Sequence, residues 1–400
     1  MKSLSLIRII TICLILTLVK GSAAWSNEQI IQDRSVKPVQ HVMIVVLSGI
    51  STDSLLKTYT PNFHDFAKVG VKLEEAIGVY PPSNPSALVS LSTGASPNRH
   101  GIIKSTQKAA VESIFHVMLG QGRSTMIVAT DEEAIAPLLS GFHHKIIDST
   151  KKDLDITEQA IDAWKHNKPF ATLVLYTSPA EVGKKAGIDS PDYLKAITDA
   201  DHQIGRWANF LKEEGIFEDV LWIITSDHAL SYSHKENTKN AIDKELLLPL
   251  VVAGPKMKMN ITLPPVRTID IAPTIAHVTG VSKPAQSEGD VIWNAILPPP
   301  DSTAEAYYEQ RVKDLSLQVL DLSKSAYRLA EDKLTIDGRV ENLQKQKQEI
   351  EIFTAEKEDE IESLKRKVLY QRYLIGAIIL IAILGFFVEY LILRKRFLMF

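Results

Sequence analysis

Five short runs of the chain are almost wholly apolar, and the segments between them are apolar at every third or fourth position. Val42 to Leu47, Thr125 to Ala129, Thr172 to Tyr176, Val220 to Thr225 and Leu248 to Ala253 read as buried strands. Ser190 to Glu214 and Ile156 to His166 carry helical periodicity. Strands buried on both faces and separated by helices predict an α/β domain over 41–300. Its central sheet is expected to be mostly parallel, with helices on both faces. In such sheets a site forms beyond the carboxyl ends of the strands. Ser48 follows the first run, and Ser226-Asp227-His228 follows the fourth.

The pattern changes near residue 304. From Val312 to Val368 one heptad register holds, with Val312, Val319, Val340 and Ile361 among the a positions and Leu315, Leu322, Leu343 and Leu364 among the d positions. That register predicts a coiled-coil stalk over 304–372, a rod of roughly 90 Å at the α-helical rise. Lys333 and Lys347 fall on a positions, which favours a low oligomer number, two. A lone solvated helix is the simpler alternative, and Gly338 is the weak point of the run. Leu374 to Leu393 is apolar except for Glu389, long enough to cross a bilayer. The basic tail 394–400 opens with Arg394, Lys395 and Arg396, which favours a cytoplasmic C-terminus. At the other end, Lys2 and Arg8 precede a short apolar run and Ser22-Ala23-Ala24. This predicts a signal peptide over 1–24, followed by a linker over 25–40, although an uncleaved anchor has the same pattern. Together the two ends place the bulk of the chain outside the cytoplasmic membrane, periplasmic or extracellular, as a single-pass protein of a cell envelope.

Composition narrows the chemistry. The formal net charge is −3 and no basic cluster falls in the globular part, which excludes nucleic acid as a partner. The single cysteine, Cys13, lies in the predicted signal segment, so the mature chain has neither disulfides nor a thiol nucleophile.

Several stretches carry a resemblance in a fixed order. They are "HVMIVVLSGI" at 41–50, the stretch 59–102 that ends in "STGASPNRHGI", the stretch 190–228 that ends in "LWIITSDH", then "LPLVVAGP" and "VRTIDIAPTIAHVTGV". This set resembles the alkaline phosphatase superfamily, in its type I phosphodiesterase/nucleotide pyrophosphatase and sulfatase-like branch. The resemblance implies hydrolysis of phosphate or sulfate esters. Most phosphodiesterase-type members attack with a Thr or Ser alkoxide activated by two divalent metals such as zinc or manganese, held by about six Asp and His ligands.

Matched position by position, most of those ligands are absent. Ser48 stands where the family has the Asp that ends the first strand, and Asp53 lies in the following turn. The nucleophile position is Ser83 when counted from the proline, or Asn84 when counted back from Thr93-Gly94. The Asp and His of the D-x-x-x-H element are Ala180 and Lys184. Asp227 and His228 match, Ala229 replaces a glycine, and the last ligand His has only His234 as a weak candidate. His100 belongs to the structural HGI turn, and His143, His144 and His277 read as ordinary surface or core residues.

Three readings follow. The first is a catalytically degenerate, membrane-tethered domain without a cofactor, binding an anionic ligand or an envelope protein. The second is an active hydrolase of phosphoric or sulfuric esters with an atypical metal at Asp227 and His228 and Ser83 as nucleophile. The third is a structural protein that assembles through its coiled coil. In the first, Lys184 is expected to reach toward Asp227 and replace the metal charge, the alternative being a surface lysine beside Lys185. Asp227 and His228 surviving only as a hydrogen-bonded pair of the fold is the plainest account of that dipeptide.

Overall fold

The computed structural model describes residues 34, 36–80, 82, 85–102, 111–230, 246–299 and 302–397. The expected signal segment, Ser83, Asn84 and His234 lie outside the described residues.

Nine strands form one sheet among the described residues: β1 His41–Leu47, β2 Val71–Ile77, β3 Thr125–Ala129, β4 His144–Ile147, β5 Ala171–Tyr176, β6 Val220–Thr225, β7 Leu247–Ala253, β8 Ile261–Leu263 and β9 Val266–Arg267. Their order is β4-β3-β5-β1-β6-β7-β2-β8, with β9 also on β2. The block from β4 to β6 is parallel throughout, and β7 runs antiparallel to both its neighbours. The sheet is therefore mixed and mostly parallel. All five apolar runs are strands. The alternation of β2 is interrupted by Glu74 and Glu75, where the pairing register shifts, and β4 is a four-residue strand at the sheet edge.

The helices that position the site are α1 Pro61–Val69, α2 Ser86–Thr93, α3 Asp153–Asn167, α4 Ser178–Ala186, α5 Pro191–Glu213 and α6 Ile271–Thr279. A last helix, α7, spans Ala304–Phe397. Side chains alternate across a strand, so β1 feeds two cores. Val42, Ile44 and Val46 pack on the side of α2 and α6. Met43, Val45 and Leu47 pack with Phe63 of α1, Trp164 of α3 and Trp207 of α5 on the other. Ser190 caps α5 by accepting from the Tyr193 backbone N–H, with Pro191 in the first turn.

The chain divides into two compact units, the first ending at Leu315 and the second beginning at Ser316. The opening turns of α7 thus belong to the globular unit. Trp293 Nε1 donates to Asp314 Oδ2 at 3.0 Å, and the Trp293 ring meets His277 and Tyr307 edge-on at centroid distances of 4.6 and 5.1 Å. In the second unit the helix continues without interruption through Gly338.

Candidate functional site

β1 lies between β5 and β6, so the carboxyl ends of the three strands meet at one edge. Leu47 pairs with Tyr176, and Val46 with Thr225. The pairing runs past the strand ends, where Ser48 N–H donates to Tyr176 O at 2.9 Å and Gly49 N–H donates to His228 O at 3.0 Å. This register brings the predicted residues together. Ser48 Oγ donates to Asp227 Oδ2 at 3.3 Å, and the His228 backbone N–H donates to Asp227 Oδ1 at 2.8 Å. His228 Nδ1 stands 3.0 Å from the same Oδ1, close enough for an ion pair but out of line for a hydrogen bond. Ser226, named in the sequence only as the first residue of the tripeptide 226–228, locks this turn. Its Oγ donates to His228 O at 2.8 Å and accepts from Ile50 N–H at 3.3 Å.

Asp227 is 2% exposed. Burial alone pushes its carboxyl up. The adjacent His228 imidazole and the hydrogen bonds from the His228 backbone N–H and the Ser48 hydroxyl more than offset this and hold it below the ordinary aspartate value. The carboxylate is thus satisfied by its own neighbours in the chain.

The position matched to the missing Asp is also here. Gly49 adopts φ +82°, and a Cβ built on it would lie 2.7 Å from both Cα and Cβ of Ala180. The α4 helix therefore packs directly on the turn after β1, an approach that needs glycine on one side. Tyr193 Oη closes the same turn by donating to Gly49 O at 2.7 Å. One turn further along α4, Gly183 is equally tight, because a Cβ there would lie 2.4 Å from Leu230 Cδ1.

Lys184 does not behave as expected. Its side chain is exposed, and among the described residues no ion pair joins it to Asp227. The face of α4 that turns inward carries Ala180 and Gly183, in close contact with Gly49 and with Leu230 and Tyr193, while Lys184 follows them on the exposed side. His228, not Lys184, is the side chain that stands beside the Asp227 carboxylate, its Nδ1 3.0 Å from Oδ1.

The described residues at this edge do not by themselves fit the paired metals of the resembled family. Among them the donors are one carboxylate, one imidazole and the Ser48 hydroxyl, with a methyl group at 180 and an exposed ammonium at 184. Among the described residues, no group of three or more His, Cys, Asp or Glu is placed to hold a metal ion. Zinc-type sites take three or four such ligands each. The other histidines are engaged elsewhere. His100 Nε2 contacts Ser90 Oγ at 2.9 Å, and burial lowers its pKa to about 4. His277 packs on Trp293.

A second polar cluster, missed in the sequence, follows β3 and β5. Thr130 Oγ1 lies 2.8 Å from Thr177 Oγ1 and donates to Asp153 Oδ1 at 3.4 Å, while Thr177 Oγ1 donates to Glu181 Oε1 at 3.0 Å. Burial pushes Asp153 up to about 6, against the hydrogen bonds from Ser178 and Thr130. The cluster borders a cavity of about 890 Å³ whose rim mixes Lys152, Lys185 and Arg206 with Glu158, Glu181 and Asp192. The signal that could have found it is the pair of threonines, one just past each of two adjacent buried strands.

The comparisons with known proteins agree with this architecture. Human ectonucleotide pyrophosphatase/phosphodiesterase family member 5 is 24% identical over 220 residues, 49% of this chain and 46% of its own. An uncharacterised sulfatase of Escherichia coli, YidJ, is 29% identical over 142 residues, 34% of this chain and 28% of its own. The chain thus spans less than half the length of these curated relatives. Among solved structures, murine ectonucleotide pyrophosphatase/phosphodiesterase 5, as an inactive variant in complex with AMP, superposes with a TM-score of 0.52 at 16% identity. The match covers 61% of this chain and 96% of that one. BT4656, solved in complex with its substrate D-glucosamine-2-N,6-O-disulfate, superposes with a TM-score of 0.53 at 15% identity, covering 64% and 79%. These likenesses establish the alkaline phosphatase superfamily fold. The family model described as type I phosphodiesterase / nucleotide pyrophosphatase matches residues 42–115 and 116–346, well over half the sequence. A match of that extent, on a sheet that gathers Ser48, Asp227 and His228 at one edge, makes the chain a member of the type I phosphodiesterase/nucleotide pyrophosphatase family.

Proposed function

We propose that this protein is a catalytically degenerate member of its family, a membrane-tethered extracytoplasmic domain that acts by binding an anionic ligand or an envelope protein. The observation that carries this reading is the set of side chains gathered around Asp227. Ser48 Oγ and the His228 backbone N–H occupy the Asp227 oxygens, and Ala180 packs on Gly49 where a ligand carboxylate would be needed. In-line phosphoryl transfer needs strong positive charge at the attacking and leaving oxygens, and this donor set does not gather it.

The tether is α7. By length and composition it holds one stretch apolar enough to cross a membrane. In this reading 374–393 spans the bilayer, Arg394 to Arg396 stay in the cytoplasm, and the exposed heptad stripe above the membrane joins copies of the chain. The test is a hydrolysis assay on the full-length protein in detergent, with aryl phosphodiester and aryl sulfate substrates and zinc or manganese supplied. The expected result is turnover at the background rate. Turnover that disappears in Ser83→Ala would establish an active hydrolase instead.

A further inference from the structure

Before the apolar segment 374–393, the second unit carries a stripe of apolar residues at a and d positions, and three lysines interrupt that stripe. Leu322, Leu329, Val340, Leu343, Ile350 and Leu364 are all exposed at a or d positions. Lys333 and Lys347 occupy a positions in the same register, and Lys357 a d position. An exposed apolar stripe with this period calls for a partner helix. Each lysine has acidic neighbours at the edge of the stripe: Asp332 at g and Asp337 at e around Lys333, Glu351 at e beside Lys347, and Glu358 at e and Glu360 at g around Lys357. Gly338 falls on f, the outward position, and so leaves no gap in the seam.

We propose that the occupant of this stripe is a second copy of the chain, parallel and in register, and that the lysine layers set the register. This rests on the membrane-tethered reading, because two chains that send 374–393 into one bilayer in the same direction can pair only in parallel. In a parallel pair an a residue lies beside the preceding g of the other helix, and a d residue beside the following e. Lys333 then meets the partner's Asp332, and Lys357, paired with Glu360 of its own helix at 2.6 Å, lies beside the partner's Glu358. Asp332 and the partner's Asp337 form a g–e pair that would repel alone. Lys333 sits between them and supplies the cation that both need. Lys347 is preceded by Gln346 and is served within its own helix, where its ammonium lies 3.6 Å from Glu351. Sliding one helix by a heptad would bury lysine against aliphatic layers such as Val340 and separate it from its acids. The charged layers therefore penalise wrong registers more than they strengthen the right one.

The test uses the full-length protein in native membranes, in a Cys13→Ser background so that each added cysteine is alone. Leu322→Cys and Leu364→Cys, made separately, are each expected to give a disulfide-linked dimer on mild oxidation, while Lys345→Cys at the outward f position gives none. An antiparallel pair has one self-opposed point, so it cannot link at both sites. Lys333→Glu is expected to weaken the dimer at least tenfold, and adding Asp332→Lys to restore it. A dimer by light scattering that fails to link at either seam position would overturn the parallel register while leaving the oligomer intact. A monomer would overturn the paired stalk altogether. Alkaline carbonate extraction of the same membranes reads the anchor separately: release into the soluble fraction removes the tether on which the parallel argument rests.

Discussion

At position 180 the side chain is a methyl group pressed on the backbone of Gly49, and that contact explains more of the site than any residue in the Asp-His dipeptide. A carboxylate there would have to displace the turn after β1. Ala180→Asp is therefore expected to destabilise the protein by roughly 1–3 kcal/mol, as overpacking does, and to create no metal affinity. A thermal melt with and without zinc checks it, and a metal-dependent rise in Tm for the variant would count against the proposed reading. His228 tests the other side of the site. Its removal opens space beside the buried Asp227 carboxylate, whose Oδ1 lies 3.0 Å from the ring Nδ1, so His228→Ala should cost about 1–3 kcal/mol, measured by chemical denaturation. Asp153 gives the pH dependence. Its folded pKa of about 6 lies above its ordinary value of 3.8. The folded state therefore binds more protons between these values, and stability present below about pH 4 is lost as the pH rises through 6. Asp153→Asn is expected to raise the melting temperature at pH 8 by several degrees, with the gain about halved at pH 5 and nearly gone below pH 4.

At the scale of elements, the sequence was legible where burial is uniform and less so where it alternates. The ends of β3 and β6 fell where the apolar runs end, because strands covered on both faces admit no charged residue and only the occasional threonine. β2 escaped notice because Glu74 and Glu75 sit at its bulge, and β4 because four residues make no period. The antiparallel direction of β7 is not encoded in an apolar run at all. Within the site, the strand-end positions Ser48, Asp227 and His228 followed from the topology. Lys184 did not, since its direction depends on how closely α4 approaches Gly49, a three-dimensional fact set by two small residues far apart in sequence. The start of α7 is another such fact. Asp314 belongs to the heptad region by pattern yet accepts from Trp293 in the globular unit. Asp314→Ala should therefore loosen that junction, read as increased proteolysis near residue 300 without loss of the folded domain.

For the whole molecule, the account joins a family fold to a site whose charges are satisfied from within, on a helix suited to pairing and to a membrane. Family membership by itself leaves activity open, because function lives in the site rather than the fold. In the proposed reading the site binds rather than cleaves, and α7 holds it at a membrane. The measurement that bears most directly on this is the metal content of the full-length protein, purified in detergent without chelators after growth with zinc and manganese, by inductively coupled plasma mass spectrometry. The account predicts well under one zinc or manganese per chain, unchanged by Asp227→Asn. Two tightly held metals per chain, lost in that variant, would contradict it.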